Sequence, residues 1–428
     1  MKHLQKFIRI AAANRHRSCL SAVFIRNKRL WLIVFLLLYA LGQAQELNQL
    51  IKEAWTNNPE IQQMEYQYQG TAEKINEANS LPSTEFNVGV MAVKPEMNMP
   101  MANFRVSAMQ MLPWFGTRDA RKAYASSLAD ASSISIAIAK RKLALSVRSL
   151  YYQLYALQAQ QKVLNNHIDL LGTYEEMALT GVEVGKASAV EVLRLQIRQN
   201  ELEQQKAILQ QEYQGMQAGL NAQLNRAANT SILIVDTLAL PEQDTTYAID
   251  GLAVNPELLQ YDKWYASVNQ AETLNQQERK PKWGIGLEYI NQEDSPMITS
   301  KHKDMLMLML SLKVPLFNAP HASKTKQNQL QQQALASEKQ VRHNRLKSLW
   351  AQALAKREQA RISYTTQQKN LAQAERAMQI LLKSYETGRI DFNDVLDIQA
   401  LQLDFEMQQI ESVKNYYLEQ AQLNYLIP

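Results

Sequence analysis

The chain has 428 residues, 46 Lys+Arg against 41 Asp+Glu, and a formal charge of +5. Residues 1–44 hold eight bases and no acid, so the rest of the chain carries 38 bases against 41 acids, a balance of −3. A basic nucleic-acid surface is therefore excluded as the meaning of the charge, and no nucleic acid is expected as a partner.

Residues 1–44 read as a signal peptide. A basic stretch ends at Lys28-Arg29, an apolar run follows from Leu30 to Leu41, and the small residues Gly42 and Ala44 mark a cleavage point after Ala44. The run is too short to cross a hydrocarbon core of about 30 Å as a helix, which disfavours a retained anchor. The one cysteine, Cys19, lies in this leader, so the exported chain is expected to lack disulfides, thiol nucleophiles and Cys-ligated metals. No later stretch approaches the length of an apolar helical span, which leaves a periplasmic, extracellular or outer-membrane β-barrel protein.

Downstream, proline placement divides the chain. Segments 84–93 and 103–112 read as strands, followed by Pro113 and a proline-free stretch that runs to Leu240. That stretch is rich in good helix formers. Leu150, Leu154, Leu157, Leu164, Ile168 and Leu171 follow a 4-3 pattern, as do Val192, Leu195, Leu202 and Leu209, so helices are expected over 118–182 and 188–226 with a turn at Gly185. A linker follows over 227–250. Segments 282–290 and 304–314 read as two more strands. In the last, Leu306, Leu308, Leu310 and Leu312 alternate with Met305, Met307, Met309 and Ser311. After Pro315, helices are expected over 321–387 and 391–425, with a turn at Gly388. At 1.5 Å per residue, helix 118–182 alone would run to roughly 100 Å, too long for a compact globule.

The two halves, 45–226 and 251–428, repeat. Asn58-Pro59-Glu60 returns as Asn255-Pro256-Glu257, Pro113 returns as Pro315, and Gly185 with Val192-Leu193 returns as Gly388 with Val395-Leu396. Each half reads as helix, β-hairpin, very long helix, long helix. Four strands of 9–11 residues have the length of tilted membrane strands. Backbone in lipid must be fully paired, so a spanning sheet has to close. Four strands are too few for that, and several copies must share one barrel.

This pattern resembles the TolC family of outer-membrane channels. The most specific stretch is Tyr385-Glu386-Thr387-Gly388-Arg389-Ile390-Asp391-Phe392-Asn393-Asp394-Val395-Leu396-Asp397, similar to the family's second helix-hairpin tip. Its first-half counterpart begins at Val184-Gly185-Lys186-Ala187-Ser188. The resemblance implies a homotrimer with a 12-stranded barrel in outer-membrane lipid, continued by a helical periplasmic tunnel. It also implies a periplasmic adaptor and an inner-membrane pump (RND or ABC type) as partners, no cofactor, and Pro113 and Pro315 as barrel-to-helix hinges.

The resemblance further places a periplasmic gate on five residues. Asp394 and Asp397 match paired acids lining a narrow entrance; a spacing of three puts both on one helix face, and three copies would make rings that attract cations. The plainer reading is that acids near a helix start favour its dipole. Tyr385 and Glu191 match a latch between neighbouring hairpins. The family's latch arginine has Ile390 in its place, with Arg389 one residue earlier. Arg194 stands where Asp397 stands in the second half and would partly neutralise that ring. Gly185, Lys186, Ala187 and Ser188, with Gly388, Arg389, Ile390 and Asp391, form the two tips. They are expected to meet the adaptor, although Gly, Ser and Asp are also ordinary turn and capping residues.

Methionine is dense near the first hairpin at Met91, Met97, Met99, Met101, Met109 and Met111. Thioethers suit soft Cu(I) or Ag(I), but methionine on a strand can equally face lipid. Trp114, Phe115, Trp283 and Tyr289 near strand ends suit an aromatic girdle. His167, His302, His321 and His343 are scattered, and no phosphate loop or Gly-x-Ser-x-Gly occurs, so an enzyme is not expected. The leading expectation is a passive exit channel for small toxic molecules. Alternatives are a copper or silver channel, a type I protein-secretion channel, or a structural trimeric coiled coil.

Overall fold

The computed structural model describes residues 47–92, 102–185, 187–292, 304–317, 319–387, 389–390 and 392–427. The leader, Met97, Met99, Met101, Lys186, Gly388, Asp391 and His302 lie outside them. The elements are α1 (47–57), α2 (Pro59–Ala78), β1 (Thr84–Val90), β2 (Ala102–Leu112), α3 (Thr117–Glu183), α4 (Ala189–Gln223), a 3-10 helix (Ile249–Val254), α5 (Pro256–Glu278), β3 (Lys282–Gln292), β4 (Met305–Lys313), α6 (Ala319–Glu386) and α7 (Phe392–Leu426). The fold is mainly helical, internally duplicated, with one antiparallel sheet. None of the described helices is long and apolar enough to cross a membrane.

Element ends follow local chemistry. Helix α4 stops at Gln223, three residues short of the expected 226, because Asn225 turns to φ 55°. The Asn225 N–H then donates to Ala222 and the Arg226 N–H to Asn221, which satisfies carbonyls that the helix end leaves without partners. Helix α6 begins at Ala319, ahead of the expected 321, since Pro320 sits in the first turn, where its missing N–H costs nothing. Strand β1 ends at Val90 rather than 93; beyond it the Met91 N–H still donates to Asn103 O at 3.2 Å.

The chain forms two compact units, each built from both repeats. One comprises residues up to 58, 143–244 and 354–422. Its core includes Leu164, Leu171 and Ala178 of α3, and Leu195 and Leu202 of α4, recurring every seven residues as in coiled-coil seams. Met378, Phe392, Val395 and Leu403 complete it. The inter-repeat linker is strapped to this unit. Ile232, Ile234 and Val235 are buried, Tyr151 Oη accepts from Val235 N, Tyr155 Oη accepts from Leu238 N, and Tyr417 Oη donates to Ala239 O. Asp244 closes the strap against Arg361 and Tyr416.

The other unit holds the sheet, in the order β1-β2-β3-β4, antiparallel throughout. The central β2–β3 pairing joins the two repeats. Residues facing each other across a ladder share a face. One such row is Val88, Val106, Tyr289 and Leu306; the next is Phe86, Ala108, Leu287 and Leu308. Leu306, Leu308, Leu310 and Leu312 are all more than 60% exposed on this apolar face. The other face carries Asn87, Ser107, Glu288 and Met307 in one row and Glu85, Met109, Gly286 and Met309 in another. Arg105 pairs with Glu288 there at 3.6 Å. Met109 and Met111 thus stand on the polar face, against the simple expectation that strand methionines face lipid.

Candidate functional site: the hairpin tips

The first tip joins α3 to α4. Gly185 takes φ 72°, a conformation that costs a β-carbon, and its N–H donates to Val182 O at 3.0 Å. The returning chain passes close: a Cβ on Gly181 would stand 2.8 Å from that of Ala187. Ser188 caps α4, accepting from Val190 N at 3.2 Å. Gly185 and Ser188 are exposed and Ala187 is half-buried. At the second tip the Arg389 N–H donates to Ser384 O at 3.0 Å, and Arg389 is exposed. Ile390 packs against the core, and Phe392 is buried between Tyr174 and Tyr385, with edge-on ring contacts of 5.6 and 4.9 Å between centroids.

At the tips, polar contacts tie the hairpins of one chain together. Tyr385 Oη donates to Glu191 Oε2 at 3.3 Å. Arg194 Nη1 donates to Asn393 Oδ1. Arg194 lies on α4 and Asn393 on the first turn of α7, so a guanidinium of the first hairpin reaches the second. The sequence reading used Arg194 only as a charge. The constant offset of 203 between the tips, which sets Arg194 level with Asp397, was the available hint.

Asp394 and Asp397 are both exposed, on the side of α7 away from buried Phe392, Val395 and Gln399. Among the described residues neither has a basic side chain within ion-pair distance. Their carboxylates are solvated and add negative charge near the helix start. The arrangement can hold cations loosely, and among the described residues of the tips no group is placed for covalent chemistry.

Deeper in the same unit lies a polar layer that the sequence reading missed. His167 is buried; Gln399 Nε2 donates to its Nδ1 at 2.8 Å, and its Nε2 faces Glu406 Oε2 at 3.3 Å. With Nδ1 accepting, the ring proton sits on Nε2, toward the carboxylate. A buried polar layer in a helical seam resists sliding, because any shift leaves its members without partners.

Pro113 follows β2 directly and Pro315 follows β4 after Val314, and each is separated from the next helix by a short connection. After Pro113, Thr117 N donates to Trp114 O at 3.0 Å and Gly116 takes φ 82°. Phe115 is 75% exposed and its ring lies 6.1 Å from Trp114 and 6.3 Å from Trp283. Tyr289 donates to Asp304 Oδ2 at 2.6 Å. Proline at these positions ends the ladder without a lost hydrogen bond.

Residues 50–226 match the outer membrane efflux protein family. Among solved structures, VceC of Vibrio cholerae superposes with a TM-score of 0.72 at 15% identity, covering 89% of this chain and 96% of that one. CusC gives 0.73 at 14% identity, covering 89% and 92%. The open state of MtrE from Neisseria gonorrhoeae gives 0.71 at 15% identity, covering 89% and 88%. No curated protein sequence matches. The resemblance read from the sequence therefore holds: the first repeat matches the family and both repeats share the fold of such channels.

Proposed function

We propose that this chain, a TolC-like protein by its family match over residues 50–226 and by its fold, is a passive exit duct in the outer membrane of a Gram-negative bacterium, with its helical part in the periplasm. The observation that carries the reading is the sheet. It has one mainly apolar face, one face that carries Glu85, Arg105 and Glu288, and two edge strands, β1 and β4, each paired on one side only among the described residues. Unpaired backbone in hydrocarbon costs several kcal/mol per group, so such a sheet has to close. Three copies supply twelve strands, enough to enclose a passage with the polar face inward.

The hairpin tips are the gate. In the closed channel the Tyr385–Glu191 and Arg194–Asn393 contacts hold the two hairpins of each subunit together, Arg194 doing what an arginine in the place of Ile390 would otherwise do. Three copies of Asp394 and Asp397 form acidic rings at the entrance. A periplasmic adaptor docks on the tips, Gly185 to Ser188 and Gly388 to Asp391, and loosens these contacts. The chain carries no recognisable nucleotide site, so energy comes from an inner-membrane pump. Small toxic molecules are the cargo.

The test is native mass measurement of the detergent-extracted protein followed by reconstitution in a planar bilayer. A trimer with discrete conductance steps is expected. A lone protomer, or a trimer without conductance, overturns the reading.

A further inference from the structure

The polar face of the sheet carries a feature that channel architecture does not require. Gly284 and Gly286 lie on β3, flanked by Met111 and Met109 of β2 and, across Gly286, by Met309 of β4. A Cβ on Gly284 would stand 2.6 Å from the Met111 sulfur and 3.3 Å from the Met109 sulfur. A Cβ on Gly286 would stand 3.1 Å from the Met109 sulfur and 2.7 Å from the Ala108 carbonyl oxygen. The two thioethers therefore converge over a floor that only glycine leaves open. Met109 and Met309 flank Gly286 from neighbouring strands, two strand spacings or roughly 9–10 Å apart, a gap that two unbranched side chains can close.

From this geometry we infer a binding site for a soft monovalent cation, Ag(I) or Cu(I), on the thioethers of Met109, Met111 and Met309. Thioether sulfur is a soft ligand that favours such ions over Zn(II) or Mg(II). The site is complete within one chain; that it faces the passage rests on the channel reading above. The nearest bases, Lys282 and Lys313, sit opposite each other one same-face row away. At that separation, about 7 Å along the strand, their repulsion through water is weak and is screened further by salt. Coordination by sulfur outweighs it.

The experiment uses the assembled full-length protein in chloride-free buffer with Ag(I) alone as probe. Metal retained after desalting is counted, and methionine methyl resonances are followed by NMR. Wild type is expected to retain at least one silver ion per chain, with the Met109 and Met111 methyl signals shifted. The volume-conserving double variant Met109→Leu/Met111→Leu should lose that ion, with affinity about tenfold weaker or worse. Gly284→Ala removes no sulfur but displaces Met111, and should weaken binding in the same direction. Met177→Leu, on α3, should change nothing, and Zn(II) should not be retained. Equal silver retention in wild type and the double variant overturns the site, as does unchanged binding in Gly284→Ala. A silver result of either sign leaves the conductance test untouched, so failure of the site and failure of the channel reading are separable.

Discussion

The side-chain amide of Asn58 donates to the carbonyl of Gln223 at 3.0 Å, tying the start of the first repeat to the last turn of α4. The duplicated residue repeats the bond: Asn255 donates to the carbonyl of Leu426 at 2.7 Å, at the last turn of α7. Helix ends leave carbonyls without intrahelical partners, and each Asn-Pro-Glu motif supplies one donor. The repeated motif is thus a closure device for each repeat. Asn255 Oδ1 also accepts from Glu257 N and caps α5. Asn255→Ala loses a cap and strands a buried carbonyl, and is expected to cost about 2–3 kcal/mol. Thermal unfolding of this variant beside wild type in one detergent checks the cost, and an unchanged midpoint would contradict it.

The Tyr385–Glu191 and Arg194–Asn393 hydrogen bonds join exposed or half-buried groups, and each is worth about 1 kcal/mol net. Tyr385→Phe or Arg194→Ala alone should therefore raise the open fraction about fivefold, and the double variant by roughly the product. Single-channel recording at fixed salt reads this directly. Open probabilities that stay at the wild-type level in the double variant would show that these contacts do not gate. Arg389→Ala, at an exposed side chain, should have the smaller effect.

Asp394 and Asp397 are exposed and face away from the core. Their neutralisation to Asn should leave folding intact and alter permeation. The expected outcome is a lower cation-over-anion permeability ratio, measured as a reversal-potential shift in a salt gradient, larger for the double substitution than for either single one. The shift should shrink as salt rises, because exposed charges are screened beyond about 8 Å at physiological ionic strength. A salt-independent shift would point to a structural effect instead.

The linker strap is expected to be acid-labile. Burial opposes ionisation of Asp244, but hydrogen bonds from Arg361 and Tyr416 and the charges of Arg357 and Arg361 outweigh it, and the carboxyl sits below its ordinary range. The unfolded strap then binds the proton more readily than the folded one. Its stabilisation is complete above the unfolded value of about 3.9 and is lost as pH falls through the folded value. Hydrogen exchange at Val235 and Leu238, whose N–H groups bond Tyr151 and Tyr155, should stay protected down to about pH 4 and then speed up. Asp244→Asn should already exchange faster at neutral pH, with the gap to wild type closing in acid. A gap that widens in acid would contradict the assignment.

What was legible in the sequence was whatever local chemistry decides. Proline exclusion, glycine turns and the 4-3 seam of residues such as Leu164 and Leu171 are properties of a segment and its neighbours, so the mainly helical, duplicated fold could be read along the chain. The alternation of Leu306 to Leu312 with Met305 to Met309 separated the two faces of β4 for the same reason. The tip turns at Gly185 and Ser188 were legible as turn and cap chemistry.

Tertiary structure decided what depends on partners far away in the chain. The β2–β3 register pairs residues nearly 180 positions apart, as Ala108 with Leu287, and it is this register that gathers Met109, Met111 and Met309 over two glycines. Periodicity assigns a residue to a face but names no partner across it. Nor could it show that Arg194 reaches Asn393, that Gln399 and Glu406 enclose His167, or that the linker is strapped by Tyr151, Tyr155 and Asp244. Those pairings were settled when the helices packed, because a buried polar group is tolerated only where a second element brings it a partner.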